Sequence, residues 1–333
     1  MRIKEYYGFG FLFFVILMLP IQAQESFNLG SENKTARELP KNADYYFRQG
    51  EKQFQSKKYR EAINSYEQSL GLNPEYPKVF NRLCVAYFNL KDYEAAIEAC
   101  SRKVEFDNKS AIAFYNLGRA YNAAKKNTEA VEAFKRSIAL RQDFSAAYYD
   151  LATVYIDLKQ YDEARSMCRE AVRLRPEFAD AYYVSGIAEF HLQKFAEAIE
   201  FFNQAILLKP DAAEIYFNLG MTYLVSGENK KAADKFERAF LLNPALSVVH
   251  YYLGIAYYRT KEYKKAAEVL KTAVKIDPAS EKTRLALGIT YLRLGKKDEA
   301  LKQYRQLNNI NSELARKLFK YIYADKVVDV RPL

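Results

Sequence analysis

The chain has 333 residues, 50% of them hydrophobic and 28% charged, a balance that excludes intrinsic disorder and supports a sizeable buried core. Lys and Arg outnumber Asp and Glu by 51 to 41, which favours acidic partners or anionic surfaces in a general way and identifies none. Three cysteines are an odd count that does not describe a disulfide framework.

Residues 1–23 read as an export signal: Arg2 and Lys4 give a positive start, an apolar run covers 9–21, and Ile21, Gln22 and Ala23 form a cleavage site. The apolar run falls short of the roughly 20 residues needed to span a bilayer, with an uncleaved anchor over 6–23 as the alternative. Membrane contact is expected only through that segment. The positive flank places the rest of the chain on the exported side, periplasmic or secreted. Residues 24–42, polar and without periodicity, read as a linker.

From 43 to 314 the chain aligns with itself at an offset of 34, giving eight units that start at Ala43, Pro77, Ala111, Ser145, Ala179, Ala213, Ser247 and Glu281. Position 20 of every unit is Ala, from Ala62 and Ala96 to Ala300. Position 8, expected to face it, holds only small residues: Gly50, Cys84, Gly118, Ala152, Gly186, Gly220, Gly254 and Gly288. A Gly inside a helix costs about 1 kcal/mol relative to Ala, so its recurrence at one register argues for a steric demand where two helices cross. Large residues fill the complementary positions 4, 11 and 24. Pro74, Pro176, Pro210, Pro244 and Pro278 stand at position 32, where a helix has to end.

The runs Phe114, Leu117, Gly118 and Tyr121 with Ala130 and Phe134, and Tyr216, Leu219, Gly220 and Tyr223 with Ala232, Phe236 and Pro244, resemble the tetratricopeptide repeat family. The resemblance implies an all-α fold, a right-handed α-solenoid superhelix of eight 34-residue helical hairpins. A helix over 312–323, with Ser312 as N-cap and Leu314, Leu318 and Ile322 as its apolar stripe, is expected to cap the last hairpin. Residues 324–333 read as a tail.

Several residues depart from the pattern. Glu189 stands at the packed position 11 and Lys103 at position 27, so either the helix rotates locally or the charge snorkels to water. Cys84 and Cys100 fall in the two helices of one hairpin; they read as small buried hydrophobes, with a bridge between them as the rival. Cys168 has no obvious partner. Basic residues such as Lys57, Lys125, Lys230, Lys264, Lys296 and Lys297 gather near the turns and read as a solvated rim, with a binding stripe as the alternative.

No catalytic constellation, metal-ligand spacing or phosphate-cradling loop is present, so no enzyme, metal or cofactor is expected. His250 occupies a packing position and reads as a core histidine. Function is therefore expected on the groove that the first helices line in this family, through positions 2, 5, 9 and 12. From the fifth unit onward these columns are apolar and aromatic: Tyr183, Ile187, Phe190, Phe217, Met221, Leu224, Tyr251, Ile255 and Tyr258. A secondary polar stretch precedes them, with Lys78, Asn81, Tyr115, Arg119, Asn122 and Tyr149. A contiguous apolar strip marks an interaction site, and its shape suits an extended peptide or an amphipathic helix; the alternative is that the rings at positions 5 and 12, common in this family, support the neighbouring helices. No three consecutive units carry the Lys and Asn set with which chaperone-binding members grip a C-terminal carboxylate. The expectation is a protein-binding scaffold in an exported space. A self-assembling or envelope-tethered spacer and a polysaccharide-export or polysaccharide-binding component are the alternatives, and no nucleic-acid partner is expected.

Overall fold

The computed structural model describes residues 42–323; the signal, all of the linker but Asn42, and the tail lie outside the described residues. The described residues belong to one compact unit. It is all α-helical, with no strand among the described residues. Eight helix pairs follow one another: α1 (Ala43–Gln55) with α2 (Tyr59–Leu72), α3 (Pro77–Asn89) with α4 (Tyr93–Phe106), α5 (Ala111–Ala123) with α6 (Asn127–Leu140), and α7 (Ser145–Asp157) with α8 (Tyr161–Leu174). The second half repeats the plan with α9 (Ala179–His191) and α10 (Phe195–Leu208), α11 (Ala213–Val225) and α12 (Asn229–Leu242), α13 (Ser247–Arg259) and α14 (Tyr263–Ile276), and α15 (Glu281–Arg293) and α16 (Lys297–Asn308). A final helix, α17 (Ser312–Tyr323), closes the array. Each helix packs on its partner and on the next pair, the arrangement of an α-solenoid.

The turn inside each pair has one design. In the first, Lys57 N–H donates to the Phe54 carbonyl and Lys58 N–H to the Gln53 carbonyl, both at 2.9 Å, the two bonds of a Schellman C-cap. The first of the two donors, at C′, takes positive φ. That residue is Lys57, Lys91, Lys125, Lys159, Gln193 and Lys261 in six pairs, with φ between 58° and 66°, and Gly227 and Gly295 in two. The second helices end differently. Asn73, Asp107, Arg141, Arg175, Lys209, Asn243 and Asp277 all leave the helical region, with φ between −145° and −125° and ψ between 76° and 95°. In five of the seven a proline follows, whose ring disfavours the helical region for the residue before it, while Asp107 and Arg141 take the same conformation without one.

Position 8 is faced by position 24 rather than by the alanine of position 20, which corrects the expected pairing. A Cβ on Gly118 would lie 2.8 Å from the Phe134 ring, and one on Gly220 would lie 2.7 Å from Phe236. The ring occupies the space a side chain at position 8 would need. Where position 24 is not large, position 8 grows: Ala152 opposes Cys168 in one buried cluster, and Cys84 opposes Cys100. Those two cysteines are joined by a disulfide, with Cα atoms 5.0 Å apart, so the rival reading of the pair holds and the free-thiol reading does not. Cys168 is free and buried.

In the last pair the partner of Gly288 is Leu318 of α17, which binds the capping helix to the register of the hairpins. The N-cap of α17 is Asn311 and not Ser312: its Oδ1 accepts from the Glu313 and Leu314 amides, each at 3.0 Å. Ala315, Leu318 and Ile322 form the buried stripe, with Leu314 partly buried beside it.

Glu189 neither rotates away nor snorkels. It is 1% exposed, and its nearest charge is Arg165 of α8 at 4.0 Å. Arg165 is held at 2.5 Å by Asp162 in its own helix, so the pair across the repeat boundary is long and Glu189 Oε2 has no hydrogen-bond partner. Lys103 does snorkel, pairing with Asp107 at 3.0 Å. His250 is buried, with Nδ1 3.3 Å from the Leu246 carbonyl and its ring edge-on to Phe240.

Candidate functional site

Successive first helices lie side by side, and their contacts recur at a separation of 35 residues. Position 5 of one repeat meets position 6 of the next. Asn116 donates to Asn81 Oδ1 at 3.3 Å, the Tyr115 hydroxyl lies near the Asp150 carboxylate, Asn218 donates to the Tyr183 hydroxyl at 2.9 Å, and the Phe217 and Tyr252 rings pack 5.6 Å apart. Positions 12 and 13 form a second rung: Arg259 donates to the Leu224 carbonyl at 2.8 Å and Arg293 to the Tyr258 hydroxyl at 3.0 Å. The floor of this surface is therefore a ladder joining repeats, polar at one end and increasingly aromatic at the other.

The position 5 rings also reach inward. Tyr115 packs on Phe134 and Phe144, Tyr149 on Phe178, Tyr183 on Phe202, and Phe217 on Phe236. Each plugs the junction between two hairpins. Burial raises the Tyr183 and Tyr251 phenols above their ordinary range. For Tyr149 burial and the nearby Asp180 carboxylate push it up to about 12. These phenols are neutral groups built into the floor.

Of the nine apolar residues predicted to line the groove, Tyr183, Ile187, Phe190, Phe217, Met221, Ile255 and Tyr258 come together, half-buried, against one core formed by hairpins five to seven. Leu224 belongs to the buried core itself, and Tyr251 packs on the neighbouring cluster around Leu270 and Leu287. What stays open is a strip carried by position 9, Ile187, Met221 and Ile255, flanked by Phe190 and Tyr258. Val248 at position 2 is 43% exposed and lengthens it.

The polar stretch is more self-satisfied. Arg82 pairs with Glu51 at 2.7 Å, and Glu51 also accepts from the Tyr66 hydroxyl at 2.6 Å. The Arg119 guanidinium stacks 4.6 Å from the Phe88 centroid. Asn122 Oδ1 is buried with no hydrogen-bond partner. Lys78 and Asn81 line a 390 Å³ cavity with Phe47, Arg82 and Lys103, whose Arg and Lys103 charges are already paired. Only Lys78 is an exposed cation there. The position 6 and 13 residues, including Asn116, Asp150, Asn218 and Arg259, were missed because comparison at an offset of 34 aligns like with like. An offset of 35 pairs them with their partners.

Among the described residues no group of three or more His, Cys, Asp or Glu could hold a metal ion, and no helix is long and apolar enough to cross a membrane.

Family models described as tetratricopeptide repeat match residues 53–120, 111–144, 149–213, 213–246, 247–280 and 282–314. No curated protein matches the sequence. Among solved structures, the C-terminal part of a TPR repeat-containing protein from Cytophaga hutchinsonii aligns with TM-score 0.60 and 17% identity, over 72% of this chain and 99% of that one. PilF of Pseudomonas aeruginosa aligns with TM-score 0.54 and 20% identity, over 64% and 97%. The APC/C hetero-tetramer Cut9-Hcn1 aligns with TM-score 0.55 and 18% identity, over 86% of this chain and 57% of that chain. At these identities the likeness is one of fold.

Proposed function

The chain belongs to the tetratricopeptide repeat family, and on that premise we propose that it is a non-enzymatic scaffold that holds a peptide segment or amphipathic helix of another protein on the first-helix surface of hairpins five to seven. The observation that carries the reading is the strip of Ile187, Met221 and Ile255, which the ladder beneath does not consume. Apolar side chains at one register of three consecutive helices, flanked by Phe190 and Tyr258, offer the kind of anchor row on which such ligands gain most of their affinity. The ladder itself supplies preorganisation, since rings wedged between hairpins hold the strip rigid before binding.

We place the array in an exported compartment on the strength of Arg2, Lys4 and the apolar run 9–21. The Cys84–Cys100 disulfide supports the same reading, because such bonds persist in oxidising spaces.

The test is capture from an extract of the source cell's envelope with wild-type protein and with the double variant Met221→Glu/Ile255→Glu. Both residues are only half-buried, so the variant is expected to keep its helical circular dichroism while losing the captured partner. A partner that the folded double variant still retains would overturn the assignment.

A further inference from the structure

Away from the first-helix strip, a cavity of about 730 Å³ opens between α14, α15 and α16. One departure from the repeat stands in its lining. At position 4, where other units carry a ring, the last unit carries Arg284. In the sixth unit the Tyr216 hydroxyl donates to the Pro210 carbonyl at 3.2 Å; in the eighth, Arg284 Nε donates to the equivalent Pro278 carbonyl at 2.8 Å. The backbone contact is conserved in register, and a buried charge has been installed. Arg284 is 9% exposed, and its other polar contact is Gln303 Oε1 at 3.4 Å. Among the described residues no carboxylate pairs with it. Two neutral acceptors offset part of the cost of burying this guanidinium, and an anion would offset more.

The walls of the cavity carry the same sign. Lys271 and Lys275 come from α14, and Lys296 and Lys297 from the start of α16; all four are exposed. Lys297 lies over the Tyr323 ring at 4.5 Å, and the other three make no ion pair among the described residues. Helix α16 begins without a side-chain cap, so the amides of its first turn add to the positive field. Two carboxylates stand on the rim, and one of them, Glu299, is held by Lys302 at 2.9 Å. Asp298 is the remaining acid against five cations.

We infer that this cavity is an anion-binding site, separate from the groove, for a ligand carrying two or more closely spaced phosphate or carboxylate groups. The guanidinium of Arg284, its Nε held by the Pro278 carbonyl, takes one group through its terminal N–H donors, while the lysines of α14 and α16 take the others. The volume matches small-molecule sites rather than a single ion, and the Leu287 and Tyr291 side chains give the floor an apolar edge.

Titration calorimetry of the full chain with inorganic tripolyphosphate, and with citrate as the carboxylate probe, tests it. Saturable binding is expected, weakening as salt rises. The double variant Lys271→Gln/Lys275→Gln, whose side chains are exposed and make no ion pair, is expected to keep its fold and to lose at least tenfold in affinity; Arg284→Lys should also weaken binding by losing the fork. Neutralising distant turn lysines with Lys57→Gln/Lys125→Gln should leave affinity within twofold. No saturable binding of either probe overturns the assignment, as does equal loss in the distant double variant. Sedimentation with phosphatidate-containing vesicles separates the sources: co-sedimentation lost in Lys271→Gln/Lys275→Gln assigns a lipid headgroup, and its absence with tripolyphosphate binding intact assigns a soluble ligand.

Discussion

At the scale of single residues, the turn lysines do more than line a solvated rim. Lys57, Lys91, Lys125, Lys159 and Lys261 each sit in the left-handed region, where a Cβ costs roughly 1–2 kcal/mol. They do so because the Schellman bonds around them satisfy carbonyls that would otherwise be orphaned. Gly227 and Gly295 show that the same turn closes without a side chain. Replacing Lys125 by Gly should therefore stabilise the array by about 0.5–1 kcal/mol, net of the extra freedom Gly has when unfolded. Gly227→Ala should destabilise it by a similar amount. Urea unfolding midpoints at equal slope measure both, and a lower midpoint for Lys125→Gly would contradict the cap argument. Glu189 lies at the opposite extreme: its burial was not legible because nothing in its own repeat signals Arg165 across the boundary, and reach between repeats is a tertiary property.

At the scale of elements, the helix pair was legible because its packing makes the same demand eight times. In five units a glycine at position 8 admits the large residue at position 24, in the eighth Gly288 admits Leu318 of α17, and in the second and fourth a larger position 8 meets a cysteine, so the chain repeats volumes more faithfully than identities. The second pair meets that demand with a covalent bond. Cys84 and Cys100 are 16 residues apart, and closing a loop of that size restricts the unfolded chain by about 3 kcal/mol. Reduction of the folded protein should destabilise the α3–α4 pair by that order, read as lost hydrogen-exchange protection there with the α11–α12 pair unchanged. Equal loss in both pairs, or none, would show that the bridge is not a local staple. The groove was legible only in part for a related reason. Sequence columns mark which residues face the first-helix side, but whether Tyr183 is offered to a ligand or spent on Asn218 depends on the neighbouring repeat.

At the scale of the whole molecule, each hairpin contacts only its neighbours, so stability is a sum of local terms and a perturbation acting in many repeats should soften the array throughout. Ionisation is such a perturbation. Burial raises the phenols of Tyr66, Tyr115 and Tyr257 well above the ordinary value near 10, and pushes Tyr87 and Tyr149 up to about 12. Burial also drives the Cys168 thiol up from about 9 to about 12. All of these groups are neutral when protonated, and folding favours that form. Below about pH 9 both states hold the protons and the full stabilisation is present. As pH climbs through the window from about 9 to about 12, the unfolded chain releases its protons first, and stability falls with each step because the folded state then binds more protons. Urea midpoints should be level from pH 7 to 8.5 and decline steadily from pH 9 to 11, with the fall distributed over the repeats carrying these tyrosines. Hydrogen exchange at pH 10 would locate it, and a midpoint that stayed level to pH 11 would mean that these side chains are reached by water in the folded array.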